Sequence, residues 1–204
     1  MNDARRRLVL ASASPARLRL LRAAGLDPEV IVSAADEQWE GRRPTAAVVQ
    51  LLARRKAEAV AVAAGDALVI AADSLLDLGG EALGKPGSAE VARERWIRLS
   101  GARGTLCTGQ YLLDAATGRA AVHLSETAVH FASPSDEEIA AYVGSGEPIE
   151  VAGAFTIDGL GSAFVTRVEG DASAVVGLSI AGLRLQLAEL GVGLTELWRG
   201  ARRG

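Results

Sequence analysis

Six apolar residues in unbroken succession, Ala67-Leu68-Val69-Ile70-Ala71-Ala72, run into Asp73-Ser74. A strand with one face in water alternates apolar and polar residues. This run does not alternate, so both of its faces need cover, and it predicts a fully buried central strand ending at Asp73.

The rest of the chain supplies neighbours for such a strand. Leu8–Ala11 reads as a short buried strand. Ser14 as N-cap, Pro15 at the first helical position and Gly25 as the stop frame a helix between them. Pro28–Val32 is a second short strand, and Asp36-Glu37 opens a polar loop. Thr45 is expected to cap a helix reaching Ala64, with Val48, Leu51, Leu52, Ala59 and Val62 at helical spacing. Leu75–Leu78 and Glu81–Leu83 flank Gly79-Gly80 as a hairpin. Ser88 caps a helix to about Ser100, residues 104–132 hold two long strands about Ala115–Gly118, and Ser135–Ser145 is a short acidic-ended helix. A strand at Ala163–Val168 and a helix from Ser179 to Leu190 close the pattern. Helices mixed with long adjacent antiparallel strands predict an α/β protein with a mixed sheet.

At 204 residues, 49% hydrophobic and 23% charged, the chain has the size and composition of a soluble globular protein with one core or two small lobes. A net charge of −3 argues against a nucleic-acid partner. Arg5-Arg6-Arg7 precedes an apolar stretch too short for a signal segment or a membrane span, so no membrane association is expected. The single Cys107 permits no internal disulfide and fits a reducing cytoplasm. His123 and His130 lack zinc-ligand spacing and read as packing residues on opposite faces of one strand.

Two lysines stand against twenty arginines. Lys is a compact point charge where Arg is a planar fork, so a tight phosphate pocket is one place where the exchange is hard. Lys56 lies on the helix after Thr45, and Lys85 sits between Gly84 and Pro86. Compositional drift would also leave two lysines. Ser12 and Ser14, with Arg17, fall at a helix N-terminus, where free N–H groups and the dipole favour an anion; Ser14 as a mere cap is the plainer alternative. Asp73 at a strand end is where open α/β sheets hold ligands, and also where loops start. Gly84-Lys85-Pro86 lacks the spacing of a P-loop, and Gly159-Leu160-Gly161 leads into a strand and lacks the third glycine of a dinucleotide fingerprint.

In order along the chain, Ser12-Ala13-Ser14-Pro15-Ala16-Arg17, Asp36-Glu37, Lys56, Ala72-Asp73-Ser74, Gly84-Lys85-Pro86 and Gly153-Ala154-Phe155 resemble the Maf family of nucleoside-triphosphate pyrophosphatases. Leu99-Ser100-Gly101, Thr108-Gly109, Ser145-Gly146-Glu147-Pro148 and Val176-Gly177-Leu178 extend the likeness from Leu8 to about Leu190. The resemblance implies a single domain over 1–204, with an ITPase-like elongated mixed sheet in two lobes about a central cleft and frayed tails at 1–7 and 199–204. It implies hydrolysis of a nucleoside triphosphate to the monophosphate and pyrophosphate in the cytoplasm, with a homodimer as the assembly to test. Asp73, Glu37 and Lys85 are the implied catalytic residues. Asp73 and Glu37 are the implied carriers of a divalent ion (Mg²⁺ or Mn²⁺). Ser12, Ser14, Arg17, Lys56, Ser74, Lys85 and Asp158 are the implied substrate shell.

The chain departs from the thymidine- and uridine-triphosphate branch, which typically has Arg at Ala16, Thr at Ser74, Lys-Ala-Gly at 151–153 and Gln at Asp158. An ionised carboxylate at Asp158 accepts hydrogen bonds but cannot donate, so a purine or modified base is expected to replace strict dTTP/UTP preference, unless Asp158 only caps the Gly159 turn. A nucleotide-binding regulator of septum formation without turnover, and an anonymous α/β domain with an anion at a helix start, are the alternatives to an enzyme.

Overall fold

The computed structural model describes residues 6–39 and 43–198. Its sheet has seven strands: β1 (Leu8–Leu10), β2 (Glu29–Val30), β3 (Leu68–Leu78), β4 (Glu81–Leu83), β5 (Arg103–Asp114), β6 (Ala120–Phe131) and β7 (Val165–Glu169). The order is β2-β1-β3-β5-β6-β7, with β4 paired to β3 off this path. β2 and β3 run parallel to β1, and the other pairings are antiparallel. The sheet is therefore mixed.

The apolar run does lie at the centre, paired on both sides over its first half. Val69 and Ala71 meet Ala57, Val60 and Ala64 of helix α2 (Thr45–Ala64), while Leu68, Ile70 and Ala72 meet Leu21 of α1 (Pro15–Ala23) and Leu183 and Leu187 of α6 (Ile180–Glu189). The strand does not end at Asp73, however. It continues through Asp73 and Ser74 to Leu78, because β5 offers a partner for every residue to Asp77. Beyond Ser74 the face opposite α2 is covered by α3 (Ala89–Leu99) and α4 (Asp136–Gly144), where Trp96 stacks edge-on against Phe131, Tyr142 and Phe164.

Two further local expectations change. Pro44, not Thr45, occupies the cap position of α2, and the Thr45 hydroxyl instead donates to Asp77 Oδ2 at 2.6 Å. A short helix, α5 (Ala172–Val176), has its N–H groups capped by Asp171 and was not legible beforehand. Of the segments read as frayed tails, 1–5 and 199–204 lie outside the described residues. Arg6 and Arg7 are held, Arg6 by Asp114 at 2.7 Å and Arg7 by Glu29 at 2.7 Å.

Candidate functional site

β3 is the long strand along which the site is organised. β1 pairs with it only at Leu68–Ile70 and β4 only at Leu76–Leu78. Between them, residues 71–75 have a strand partner on the β5 side alone among the described residues. Chain leaving β1 turns through Ser12 into α1 on one side of this gap. Chain leaving β4 passes through Gly84 and Lys85 on the other. A point where neighbouring strands diverge is where α/β sheets form ligand crevices.

Asp73 and Ser74 occupy the gap and, as consecutive strand residues, face opposite sides of the sheet. Asp73 faces α2. Its cross-strand neighbour is Gly109, where an added Cβ would lie 2.6 Å from the Val49 backbone. The missing side chain lets α2 lie directly on the sheet, and two turns on from Val49 that helix delivers Lys56 to Asp73. The ammonium is bonded to Asp73 Oδ1 and lies 3.1 Å from Glu37 Oε1. Lys56 and Asp73 are 8% and 7% exposed, whereas Glu37 is open to solvent.

Ser74 faces the other way. Its hydroxyl is 2.9 Å from Thr108 Oγ1 and 3.4 Å from Arg17 Nη2. Arg17 also donates to Ser12 Oγ at 3.1 Å and to the Gly177 carbonyl at 2.8 Å. Burial pushes the Arg17 guanidinium below its ordinary value, and the charges of Asp73 and Glu37 pull the other way. Ser14 caps α1 by accepting from Arg17 N at 3.4 Å, and its own N–H donates to Ser12 Oγ at 3.2 Å.

The structure thus brings Ser12, Ser14, Arg17, Glu37, Lys56, Asp73 and Ser74 together. Lys85 stands apart and exposed, its ammonium 3.6 Å from Glu150. Asp158 does not bond the Gly159 turn; its carboxylate is 3.4 Å from Arg19 Nη2 of α1. Thr108 and the Gly177 carbonyl complete the surroundings of Ser74 and Arg17. Sequence reasoning quoted both segments without giving either residue a role. The two histidines lie elsewhere, His123 against Ser125 at 3.1 Å and His130 against Glu169 at 2.9 Å. Among the described residues no group of three or more His, Cys, Asp or Glu is placed to hold a metal, and no helix is long and apolar enough to cross a membrane.

The start of α1, with Ser12, Ser14 and Arg17, and the Asp73 and Glu37 carboxylates about Lys56 thus meet at one gap in the sheet. The family model described as Maf-like protein matches residues 7–190, and the chain belongs to that family. A nucleoside triphosphate pyrophosphatase of Streptomyces avermitilis is 54% identical over 196 residues, covering 95% of each chain. That of Streptomyces coelicolor is 53% identical and covers 97% of each, and that of Nocardia farcinica is 49% identical and covers 96% of this chain and 98% of its own. A crystal structure of a nucleoside-triphosphatase / dITP/XTP pyrophosphatase from Mycobacterium abscessus is similar over 63% of this chain and 75% of that one, at 15% identity and a TM-score of 0.40.

Proposed function

We infer that this protein hydrolyses nucleoside triphosphates between the α and β phosphates, releasing the monophosphate and pyrophosphate. One observation carries the reading: the buried Asp73–Lys56 pair, the Arg17–Ser12–Ser74 cluster and the helix start of α1 all meet at the gap in the β3 edge. Relatives named for nucleoside triphosphate pyrophosphatase activity match 95% and 97% of the chain.

Within this reading Asp73 accepts the proton of the attacking water, and Lys56 holds its carboxylate in place. Arg17 cannot turn freely, because Gly177, Ser12 and Ser74 fix its fork, so it presents a set charge to phosphate oxygens. Ser12, Ser14 and the Ala16 N–H extend that anion site, since Pro15 has no N–H and the Arg17 N–H is taken by the Ser14 cap. Lys85 exchanges a solvent-exposed pairing of little energetic weight for a phosphate oxygen. Opposite unit charges 4 Å apart gain about 4 kcal/mol at an effective dielectric near 20, so a few such contacts offset the repulsion within a triphosphate.

The donor set fits a divalent ion. Asp73 and Glu37 stand together about the Lys56 ammonium, and Mg²⁺ or Mn²⁺ takes few carboxylates with phosphate oxygens completing its shell. Asp73 and Glu37 would hold it, and it would supply charge neutralisation and polarisation of the attacked phosphorus. The reading extends to a single domain with two lobes about this cleft, a cytoplasmic location and a homodimer, the last checked by light scattering. At the base end, Asp158 and the small Ala16 favour a purine or modified base over strict dTTP/UTP selection. Measuring pyrophosphate release from dTTP, UTP, CTP, GTP and 7-methyl-GTP with Mg²⁺ tests both levels. Turnover with GTP-type substrates ahead is expected. Dominant dTTP/UTP activity overturns the base assignment, and no turnover with any nucleotide overturns the enzyme in favour of a binding protein.

A further inference from the structure

Glu147 accepts four hydrogen bonds, as many as Asp171 does, and the chemistry above does not use it. It opens the 3-10 turn Glu147–Glu150 and is half-buried. Oε1 accepts from the Tyr142 hydroxyl at 3.0 Å, from the Thr156 hydroxyl at 2.6 Å and from Gly161 N at 2.9 Å; Oε2 accepts from Leu160 N at 2.9 Å. One donor comes from α4. The other three come from the loop 156–161. This use accounts for the Gly-rich stretch that matched no nucleotide fingerprint. A Cβ at Gly159 would collide with the Glu147 carboxylate, and one at Gly161 with the Tyr142 hydroxyl and, at 2.8 Å, with Thr156 N. The glycines admit a carboxylate, not a pyrophosphate.

What Glu147 holds is loop 156–161. The same loop carries Asp158, which reaches across to Arg19 of α1. Residues just before it brace the Lys85 turn: Gly153 N donates to the Gly84 carbonyl at 3.1 Å, and Gly87 N to the Ile149 carbonyl at 3.1 Å. Segment 147–161 therefore touches the chain on both banks of the β3 gap.

We propose that Glu147 is a positioning residue for nucleobase selection: its carboxylate pins loop 156–161 so that Asp158 stands at a fixed place opposite α1. The proposal rests on the nucleotide reading of the cleft. Burial alone would raise the Glu147 carboxyl, but the hydrogen bonds from Thr156, Gly161, Leu160 and Tyr142 outweigh it and hold it below the ordinary carboxylate range, as an always-ionised pin requires. Bonds to a charged acceptor are also about twice as strong as neutral ones.

Glu147→Gln keeps the shape but turns one accepting oxygen into a donor, which opposes an N–H or hydroxyl that now donates. Three readouts test it together. Amide exchange at Leu160 and Gly161 should accelerate by about tenfold or more. KM for the preferred nucleotide should rise by about tenfold and the base ranking should flatten, with kcat within about threefold. Asp158→Asn should shift the ranking in the same direction. A folded Glu147→Gln protein with an unchanged ranking and KM, or one that loses only kcat, overturns the proposal. If Glu147→Gln does not fold, Thr156→Val removes one bond to the pin without touching charge, and an unchanged ranking in that variant overturns it equally. If the unmodified protein turns over no nucleotide, the pyrophosphatase reading fails by itself. The ranking is then read from equilibrium binding of the same nucleotides, where insensitivity to Glu147→Gln again overturns the proposal.

Discussion

Lys56 is the residue on which this site is balanced. Its ammonium is nearly dry and satisfies two carboxylates, one buried and one exposed. Removing one partner of a buried pair leaves an uncompensated charge, so Lys56→Ala should lose about 3–5 kcal/mol of stability in urea denaturation; a loss under about 1 kcal/mol would mean Asp73 is better solvated than its surroundings imply. Asp73→Asn keeps a hydrogen-bond acceptor for Lys56 but removes the proposed base. Turnover should fall by at least about 10²-fold with folding intact, and near-normal kcat would remove Asp73 from the chemistry. Lys85→Arg addresses the scarcity of lysine. Lys85 is exposed, so the exchange should leave stability within about 0.5 kcal/mol. Activity should still drop clearly, because a planar fork does not replace a point charge between Gly84 and Pro86. Unchanged kinetics would make the lysine incidental.

At the scale of elements, the decisive contact is α2 on the sheet. Gly109 is the cross-strand neighbour of Asp73, and an added Cβ would meet backbone atoms of Val49 and Gln50 that have no rotamer to yield. Gly109→Ala should therefore move α2 off the strand, costing about 1–3 kcal/mol as overpacking does, and should lower kcat because Lys56 leaves Asp73. A stable, fully active Gly109→Ala protein would contradict the close approach. The helices and most strands were legible in the sequence because each carries local punctuation, such as Ser14-Pro15 with Gly25, Ser88, or the Gly79-Gly80 turn. The end of β3 was not, because a buried Asp looks like a boundary until Lys56, seventeen residues earlier, is known to meet it. Ser12, Ser14 and Arg17 could be read as one unit from spacing alone. Their link to Ser74, Thr108 and Gly177 could not, since long-range contacts leave no periodic trace. Asp171 escaped notice for the same reason: its partners Ser173 and Ser179 lie within and just beyond a five-residue helix too short to show a pattern.

Across the whole molecule, two apolar regions flank the gap on the face opposite α2, one built on α1 and α6 and the other on α3 and α4. The segments that bridge them are tied by carboxylates, Asp171 beside α5 and Glu147 beside α4. For both groups burial would raise the carboxyl, and hydrogen bonds outweigh it, so both lie below their ordinary values of 3.8 and 4.5. The unfolded chain then binds more protons between the folded and ordinary values. This part of the stability is complete above about pH 4.5 and is lost as pH falls through the lower folded values. Denaturation midpoints should drop steeply on the acid side, and Glu147→Gln should flatten that limb; parallel curves would contradict the assignment. Cys107, whose thiol burial pushes up to about 11, with Glu126 and Asp77 adding to the rise, should stay unreactive toward thiol reagents at neutral pH until the chain unfolds.

The most direct test of the central claim is hydrolysis of a nucleoside triphosphate in ¹⁸O-labelled water, with the products resolved by ³¹P NMR. A cleft in which Asp73 aims water at the α phosphorus predicts one labelled oxygen in the monophosphate and none in the pyrophosphate. Label in the pyrophosphate, or formation of a diphosphate and orthophosphate, would contradict it.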